Sequence, residues 1–118
     1  MNEEILKLTN SLLSDVEFLI TRFEQTKVTG KQGDFHSEVK PFADAMKIKV
    51  EEWQDKAVLW LIQHPQRTLH SQQIESTAEN LEMVSTQAFF PSTSRKRFID
   101  TTRSINYVLK CLKEGVEG

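Results

Sequence analysis

Residues 39–62 read VKPFADAMKIKVEEWQDKAVLWLI, and this stretch decides the fold class. Its apolar side chains recur every three or four positions, which at about 100° per residue places them along one face of a helix. A helix with one long apolar face needs other apolar helices against which that face can be buried. The side chains that form this stripe are Val39, Phe42, Met46, Val50, Trp53, Ala57 and Trp60.

Three further segments carry the same spacing of apolar residues. They run from Ile5 to Phe23, from Ile74 to Ala88 and from Phe98 to Leu112. Each segment is bounded by residues that end helices or cap them. We therefore expect four helices, which begin near residues 2, 41, 71 and 95 and end before Gly30, His64, Pro91 and at Gly115.

The connections between these helices are short, so consecutive helices must run in opposite directions. The pattern predicts an all-α fold, an antiparallel up-and-down four-helix bundle in which residues 1–118 form a single domain. Pro41 leaves one boundary open, because proline is tolerated in the first turn of a helix and kinks a helix elsewhere. We expect a short helical lead-in capped by Asp34, followed by the main second helix from about Pro41.

Composition narrows the class of protein. A chain of 118 residues is long enough to bury a core without disulfides, and its single cysteine suits a reducing compartment. The formal net charge of -2 is too small to indicate binding to nucleic acid or to a membrane surface. No signal peptide or long apolar span is visible. These features predict a cytoplasmic protein, a monomer or weak homodimer, without nucleic-acid or membrane partners.

Several short phrases of the sequence are familiar. They are Asp34-Phe35, Val39-Lys40-Pro41-Phe42-Ala43-Asp44, Glu52-Trp53, Gln73-Ile74, Glu79-Asn80-Leu81, Arg97-Phe98 and Ser104-Ile105-Asn106-Tyr107. Together they resemble the YppE-like family, small proteins of Bacillus and its relatives grouped as a domain of unknown function. The resemblance covers nearly the whole chain. It implies an up-and-down four-helix bundle in a Gram-positive cytoplasm, and it implies no activity, cofactor or catalytic residue.

Residues that could perform catalysis are not arranged for it. His36, His64 and His70 lack the spacing of known metal motifs and are predicted at both ends of the bundle. Cys111 lies off the apolar stripe of the fourth helix, with no histidine expected beside it to lower its pKa. We therefore expect no enzyme activity, no metal site and no cofactor.

Charge is distributed unevenly between the third and fourth helices. The fourth helix is strongly basic, whereas the third carries Glu75, Glu79 and Glu82 without a basic residue. One interpretation is that the two helices simply attract each other, although each exposed pair contributes only ~0–1 kcal/mol. The other is that the basic residues bind an acidic partner. Those on its first turn and outward face are Arg95, Lys96, Arg97, Arg103 and Lys110, with Tyr107 among them.

The end of the second helix is apolar on all sides. Leu59 and Ile62 point away from the core stripe, so either the following loop covers them through Leu69 or they form an exposed patch. We expect loop cover, because helix ends are often wrapped by their own connection.

The sequence leaves two main hypotheses for the function. The favoured one is a non-enzymatic protein-interaction module that binds an unidentified partner through the basic face of the fourth helix or the apolar end of the second. The alternative is a small-molecule binder with a pocket between the helices near Trp53, Trp60 and Ser85. The candidate partner-binding residues are Arg95, Lys96, Arg97, Arg103, Tyr107, Lys110, Leu59 and Ile62.

Overall fold

The structure, a computed structural model, describes residues 2–118. Four helices account for most of this range, and no strand occurs within it. A π-helical turn over Phe35–Val39 precedes the second helix. The helices are α1 (Asn2–Thr29), α2 (Lys40–Gln63), α3 (Ser71–Gln87) and α4 (Arg95–Glu117).

Each helix packs against its neighbours in the chain, and α4 returns to pack against α1. Cross-helix contacts run in opposite sequence order: Lys49 of α2 reaches Asp15 of α1, whereas Lys56, further along α2, reaches Glu4. This order is that of antiparallel neighbours. The predicted four-helix bundle is confirmed.

Local residues set most of the helix ends as the sequence predicted. Gly30 follows α1 with a φ of 66°, a left-handed conformation that glycine adopts without steric cost. Asp34 caps the π-helical turn, because its carboxylate accepts a hydrogen bond of 2.8 Å from the Ser37 N–H. Pro41 lies in the first turn of α2 and does not kink it. Ser94 caps α4 by accepting from the Arg97 N–H at 3.3 Å.

The predicted end of the fourth helix at Gly115 is wrong. α4 continues to Glu117, and Gly115 lies inside its last turns. A Cβ atom at Gly115 would lie 3.1 Å from Oε1 of Gln66 and 3.3 Å from Cη2 of Trp60. The glycine therefore serves close packing of α4 against the end of α2 and the following loop, and does not terminate the helix.

The core consists of the apolar stripes together with a few buried polar side chains. Trp53 is fully buried, and its Nε1–H donates to Oγ1 of Thr9 on α1 at 3.1 Å. Phe23 of α1 stacks on Phe98 of α4 with ring centroids 4.1 Å apart. These contacts fix the rotation of α1 relative to both of its neighbours, and so determine which faces of the helices remain outside.

A polar network joins α1 to the π-helical turn at one end of the bundle. The Arg22 guanidinium donates two hydrogen bonds of 2.9 Å to the Glu38 carboxylate and a third, of 2.8 Å, to Oγ1 of Thr26. The same guanidinium lies over the Phe89 ring at 5.1 Å. The Thr26 hydroxyl lies 2.8 Å from the carbonyl oxygen of Ala88, just beyond α3. This end of the bundle is therefore held by directional polar contacts as well as by apolar packing.

Candidate functional site

The outward face of α4 carries most of the residues predicted to bind a partner. Lys96, Arg103, Tyr107 and Lys110 are all exposed, and Tyr107 is 60% exposed in spite of its aromatic ring. These residues are three, four or seven positions apart and therefore share one side of the helix. We call Lys96, Arg103, Tyr107 and Lys110 the basic face of α4. Arg97 is also exposed and extends positive charge from its first turn.

Arg95 has a different role from the basic face. It forms an ion pair with Glu24 on α1, and its guanidinium lies 5.9 Å from the centroid of the Phe23 ring. The hydrogen bond from Arg95 lowers the pKa of the Glu24 carboxyl below its usual range. Arg95 thus contributes to the contact between α1 and α4, and the structure does not leave it free in the way the sequence suggested.

The two helices that the sequence predicts to attract each other through charge, α3 and α4, form no ion pair with each other within residues 2–118. The α3 side chains that lie beside Ser104 and Val108 of α4 are neutral, among them Gln73, Thr77 and Asn80. Lys96 pairs only with Asp100, one turn along its own helix, at 3.0 Å. Arg103 and Lys110 form no ion pair with any residue in that range.

A surface groove of about 320 Å³ lies between α3 and α4. Sequence analysis missed it. The sequence feature that could have indicated the groove is a series of neutral polar residues on α3. Their spacing places them on the side next to α4, where the charge interpretation expected charged residues. We call it the α3–α4 groove; it is lined by His70, Gln72, Gln73, Ser76, Thr77, Asn80, Ser104 and Val108.

The expected loop cover over the end of α2 is also wrong. Ile62 is 70% exposed and Leu59 is 42% exposed, although Leu69 of the following loop is buried. Leu69 belongs to the core cluster and lines a small depression of about 210 Å³ together with Leu61 and Pro65. Because the loop side chain enters the core, it leaves the outer side of α2 open to solvent.

None of the main depressions within residues 2–118 is lined by Trp53, Trp60 or Ser85, the residues near which the sequence predicts a ligand pocket. All three side chains are buried in the packed interior. The Ser85 hydroxyl donates to the carbonyl oxygen of Glu82 at 2.6 Å, within its own helix. The small residues of α3 therefore permit close packing of helices, and the main surface depressions lie elsewhere.

The histidines and the cysteine lie apart from one another. His36 lies in the π-helical turn, and His64 and His70 flank the loop between α2 and α3. Within residues 2–118, no three His, Cys, Asp or Glu side chains converge at a distance suited to a metal. Cys111 is half-buried one turn beyond Tyr107, and the interaction with this thiol raises the pKa of the Tyr107 hydroxyl. Across the same residues, no helix combines the length and apolar character needed to span a membrane.

The fold and this surface define a small all-helical bundle with an exposed basic face on α4 and a surface groove between α3 and α4. Residues 9–116 match the family described as a bacterial domain of unknown function, DUF1798, and the chain belongs to that family. The uncharacterized protein YppE of Bacillus subtilis is 22% identical over 116 residues, which span 98% of this chain and 94% of that protein.

Solved structures agree with the fold. The crystal structure of YppE from Bacillus subtilis is similar with a TM-score of 0.94 at 22% identity, over 99% of this chain and 95% of that one. A DUF1798 domain from Staphylococcus aureus gives a TM-score of 0.89 at 28% identity, over 97% and 96% of the two chains. A protein of unknown function from Listeria innocua gives 0.92 at 24% identity, over 98% and 93%.

Proposed function

We propose that this chain is a non-enzymatic protein-interaction module that binds an acidic partner through the basic face of α4. The carrying observation is that Arg103 and Lys110 are exposed on the same side of the helix as Tyr107 and pair with no carboxylate in residues 2–118. The glutamates of α3 form no ion pair with these cations within residues 2–118. Positive charge without an internal partner is available to attract an anionic surface.

The residue types on this face suit protein recognition. Arginine can donate two parallel hydrogen bonds to one carboxylate, and tyrosine offers a large apolar ring with a polar end. Both are enriched where proteins bind each other. Lys96 adds to the face, because its side chain is 87% exposed even in its pair with Asp100. The positive charges of Lys96 and Arg97 also lie near the helix N-terminus, where the helix dipole opposes cations.

Charge reversal tests the proposal. The variant with Arg103→Glu and Lys110→Glu is expected to keep the thermal midpoint of wild type, since exposed charges contribute little to stability. It is expected to lose the partner that wild type captures from native lysate. Wild-type capture should also weaken as salt rises past physiological strength, where the Debye length is about 8 Å. The readouts are circular dichroism melting and mass spectrometry of the captured proteins.

A matched control separates the effect of the basic face on binding from the effect of net charge. Lys7 and Lys47 are exposed helix lysines that form no ion pair within residues 2–118. The variant with Lys7→Glu and Lys47→Glu changes the net charge equally and should retain the partner. If both variants lose it, overall charge is responsible. If the α4 variant melts much lower yet retains the partner, the face serves stability, and binding must be sought at Leu59 and Ile62.

A further inference from the structure

We infer that the acidic partner of the basic face of α4 is a second copy of this chain, bound through the outward face of its α2. This inference rests on the proposed function and names the partner. It follows from the exposed apolar and acidic side chains of α2, from the opposite charges of the two faces, and from their positions on opposite sides of the bundle.

α2 exposes apolar side chains on the side that faces away from the core. Ile48 and Ile62 are each 70% exposed, and Leu59 is 42% exposed. At about 100° per residue, the three side chains lie within about 60° of one another round the helix. Large apolar residues that share one exposed helix face are typical of a surface that another helix covers.

Carboxylates lie on the same side of α2. Glu51 and Asp55 are exposed and form no ion pair within residues 2–118. Asp44 and Glu52 share this side, and each pairs with a lysine one turn away on the same helix. All four lysines of α2 lie about 80° or more round the helix from Ile48. The outward side is therefore both apolar and negative, and we call Ile48, Glu51, Asp55, Leu59 and Ile62 the acidic face of α2.

The basic face of α4 supplies the opposite charge. Arg103 and Lys110 form no ion pair within residues 2–118, even with the glutamates in the last turns of α4. Asp100 lies on the same side of α4 and is paired with Lys96. Tyr107 lies between the two free cations and offers an exposed ring that can cover an aliphatic side chain.

Charge decides between the possible ways of pairing two copies. Two acidic faces packed together would bring Glu51 and Asp55 of one copy against the same carboxylates of the other, and like charges at an interface are unfavourable. Two basic faces of α4 would oppose their cations in the same way. Only contact between an acidic face and a basic face covers the isoleucines of α2 and pairs the free charges of both helices.

The two faces lie on opposite sides of the bundle. α2 packs against α1 and α3, and α4 packs against the same two helices, so α2 and α4 are diagonally opposite. One copy therefore cannot bring its own two faces together. Contact between copies joins two different surfaces, and every added copy leaves one acidic and one basic face free. Assembly is head to tail and continues beyond the dimer as concentration rises.

The size of the faces makes this association weak. α2 contains 24 residues, a length of about 36 Å. A strip of that length and about 10 Å width on each copy buries about 700 Å² in total, below the ~1,200 Å² at which stable interfaces begin. Such a contact depends strongly on charge, so salt should weaken it.

Sedimentation velocity of the full chain tests the inference. Between about 10 µM and about 1 mM protein at about 0.05 M salt, the mean mass of wild type should rise from that of one copy to more than that of two. At about 1 M salt, where the Debye length is about 3 Å, half-association should need about tenfold more protein. A mass that stays at one copy, or association that salt does not weaken, would overturn the inference.

Two charge-reversal variants separate the faces. Glu51→Lys with Asp55→Lys reverses the acidic face, and Arg103→Glu with Lys110→Glu reverses the basic face. Each variant alone should remain a monomer at concentrations where wild type associates. An equimolar mixture should associate again, because each intact face meets its complement on the other variant. If Arg103→Glu with Lys110→Glu associates as wild type does, the copies pair through α2 alone and the inference is wrong.

A control with the same net charge as the α4 variant is Lys7→Glu with Lys31→Glu. Both lysines are exposed, lie outside the two faces and form no ion pair within residues 2–118. This control should associate as wild type does. A control that stays monomeric would assign the effect to net charge and overturn the inference.

A second pair of variants leaves every charge unchanged. Ile48→Ala with Ile62→Ala should raise the protein concentration at half-association by about tenfold, because it removes the exposed apolar groups of the acidic face. Val28→Ala changes an 85% exposed side chain of α1 outside both faces and should have no effect. Circular dichroism melting confirms that each variant is folded, and the alanine variant decides the matter if a charge-reversal variant is not.

The two proposals fail in different ways. If wild type remains a monomer at every concentration, while Arg103→Glu with Lys110→Glu abolishes capture of the lysate partner, the inference is wrong and the proposed function stands. If wild type remains a monomer and charge reversal leaves capture intact, the proposed function is wrong as well.

Discussion

At the scale of single residues, the two tryptophans show that an apolar stripe predicts burial but does not predict the hydrogen bonds of the buried polar atoms. Trp53 and Trp60 are seven positions apart on the same face of α2, and the sequence predicts burial for both. The indole of Trp53 donates to Thr9, whereas Nε1 of Trp60 is buried and has no hydrogen-bond partner among the described residues. Burial follows from the periodicity of one helix. The hydrogen bond depends on which residue of α1 lies opposite, and that is a property of the packed pair.

The Trp53–Thr9 contact supports a test of stability. Thr9→Val keeps the shape of the side chain but removes the acceptor, so the buried indole N–H is left without a partner at a cost of about 1–3 kcal/mol. Urea unfolding followed by circular dichroism measures the loss. Thr9→Ser retains an acceptor and should lose less, by the missing methyl group alone. A valine variant as stable as wild type would mean that the bond contributes nothing net.

At the scale of elements, the sequence predicted local features well and features that need a neighbour poorly. Gly30, Asp34 and Ser94 act on the backbone within a few residues, and the structure confirms each of these helix boundaries. The sequence predicts a helix end at Gly115 and is wrong, because this glycine instead permits the close approach of Gln66 and Trp60 from outside α4. The predicted loop cover of Ile62 is wrong for the same reason, since the position of Leu69 depends on the space available in the core.

For the candidate site too, the sequence predicts what depends on one helix and misses what depends on two. Helix phase alone identified Arg103, Tyr107 and Lys110 as an exposed face, and the structure places them there. The pairing of Arg95 with Glu24 and the neutral groove beside α4 depend on how α4 is rotated against α1 and α3. No periodicity within one helix determines that rotation.

The ion pair between Arg22 and Glu38 connects two elements and makes stability depend on pH. The two hydrogen bonds from Arg22 lower the pKa of the Glu38 carboxyl below its usual range. A lowered pKa in the folded state gives stability that is present above the unfolded pKa of about 4.3 and is lost as the pH falls through the folded value. Glu38 therefore stabilises the fold at neutral pH and ceases to do so in acid.

Glu38→Gln tests this linkage. The difference in unfolding free energy between wild type and variant should be largest above pH ~5 and should shrink as the pH falls below the ordinary glutamate value of about 4.3. Urea unfolding at a series of pH values measures it. Glu51→Gln is the control, because Glu51 is exposed and forms no ion pair within residues 2–118. If the difference in unfolding free energy between wild type and Glu38→Gln stays constant with pH, the lowered pKa of Glu38 is contradicted.

At the scale of the whole molecule, one core connects all four helices. Buried side chains from every helix belong to a single cluster, and Trp53 is among the largest of them. Polar contacts that cross between elements, such as those of Lys49 and Arg22, lie around this cluster. A core shared by all four helices favours cooperative unfolding, in which no helix leaves the bundle alone. An exposed face such as that of α4 is then carried on a rigid support.

Cooperativity can be measured with two signals that report on different parts of the bundle. Both tryptophans lie on α2, so their fluorescence follows that helix, whereas far-ultraviolet circular dichroism follows all four helices. The two urea transitions should coincide. Trp53→Ala removes a fully buried indole and should lower the unfolding free energy by about 3–5 kcal/mol, which moves both transitions to lower urea by the same amount. A fluorescence transition at lower urea than the dichroism transition would instead mean that α2 detaches first.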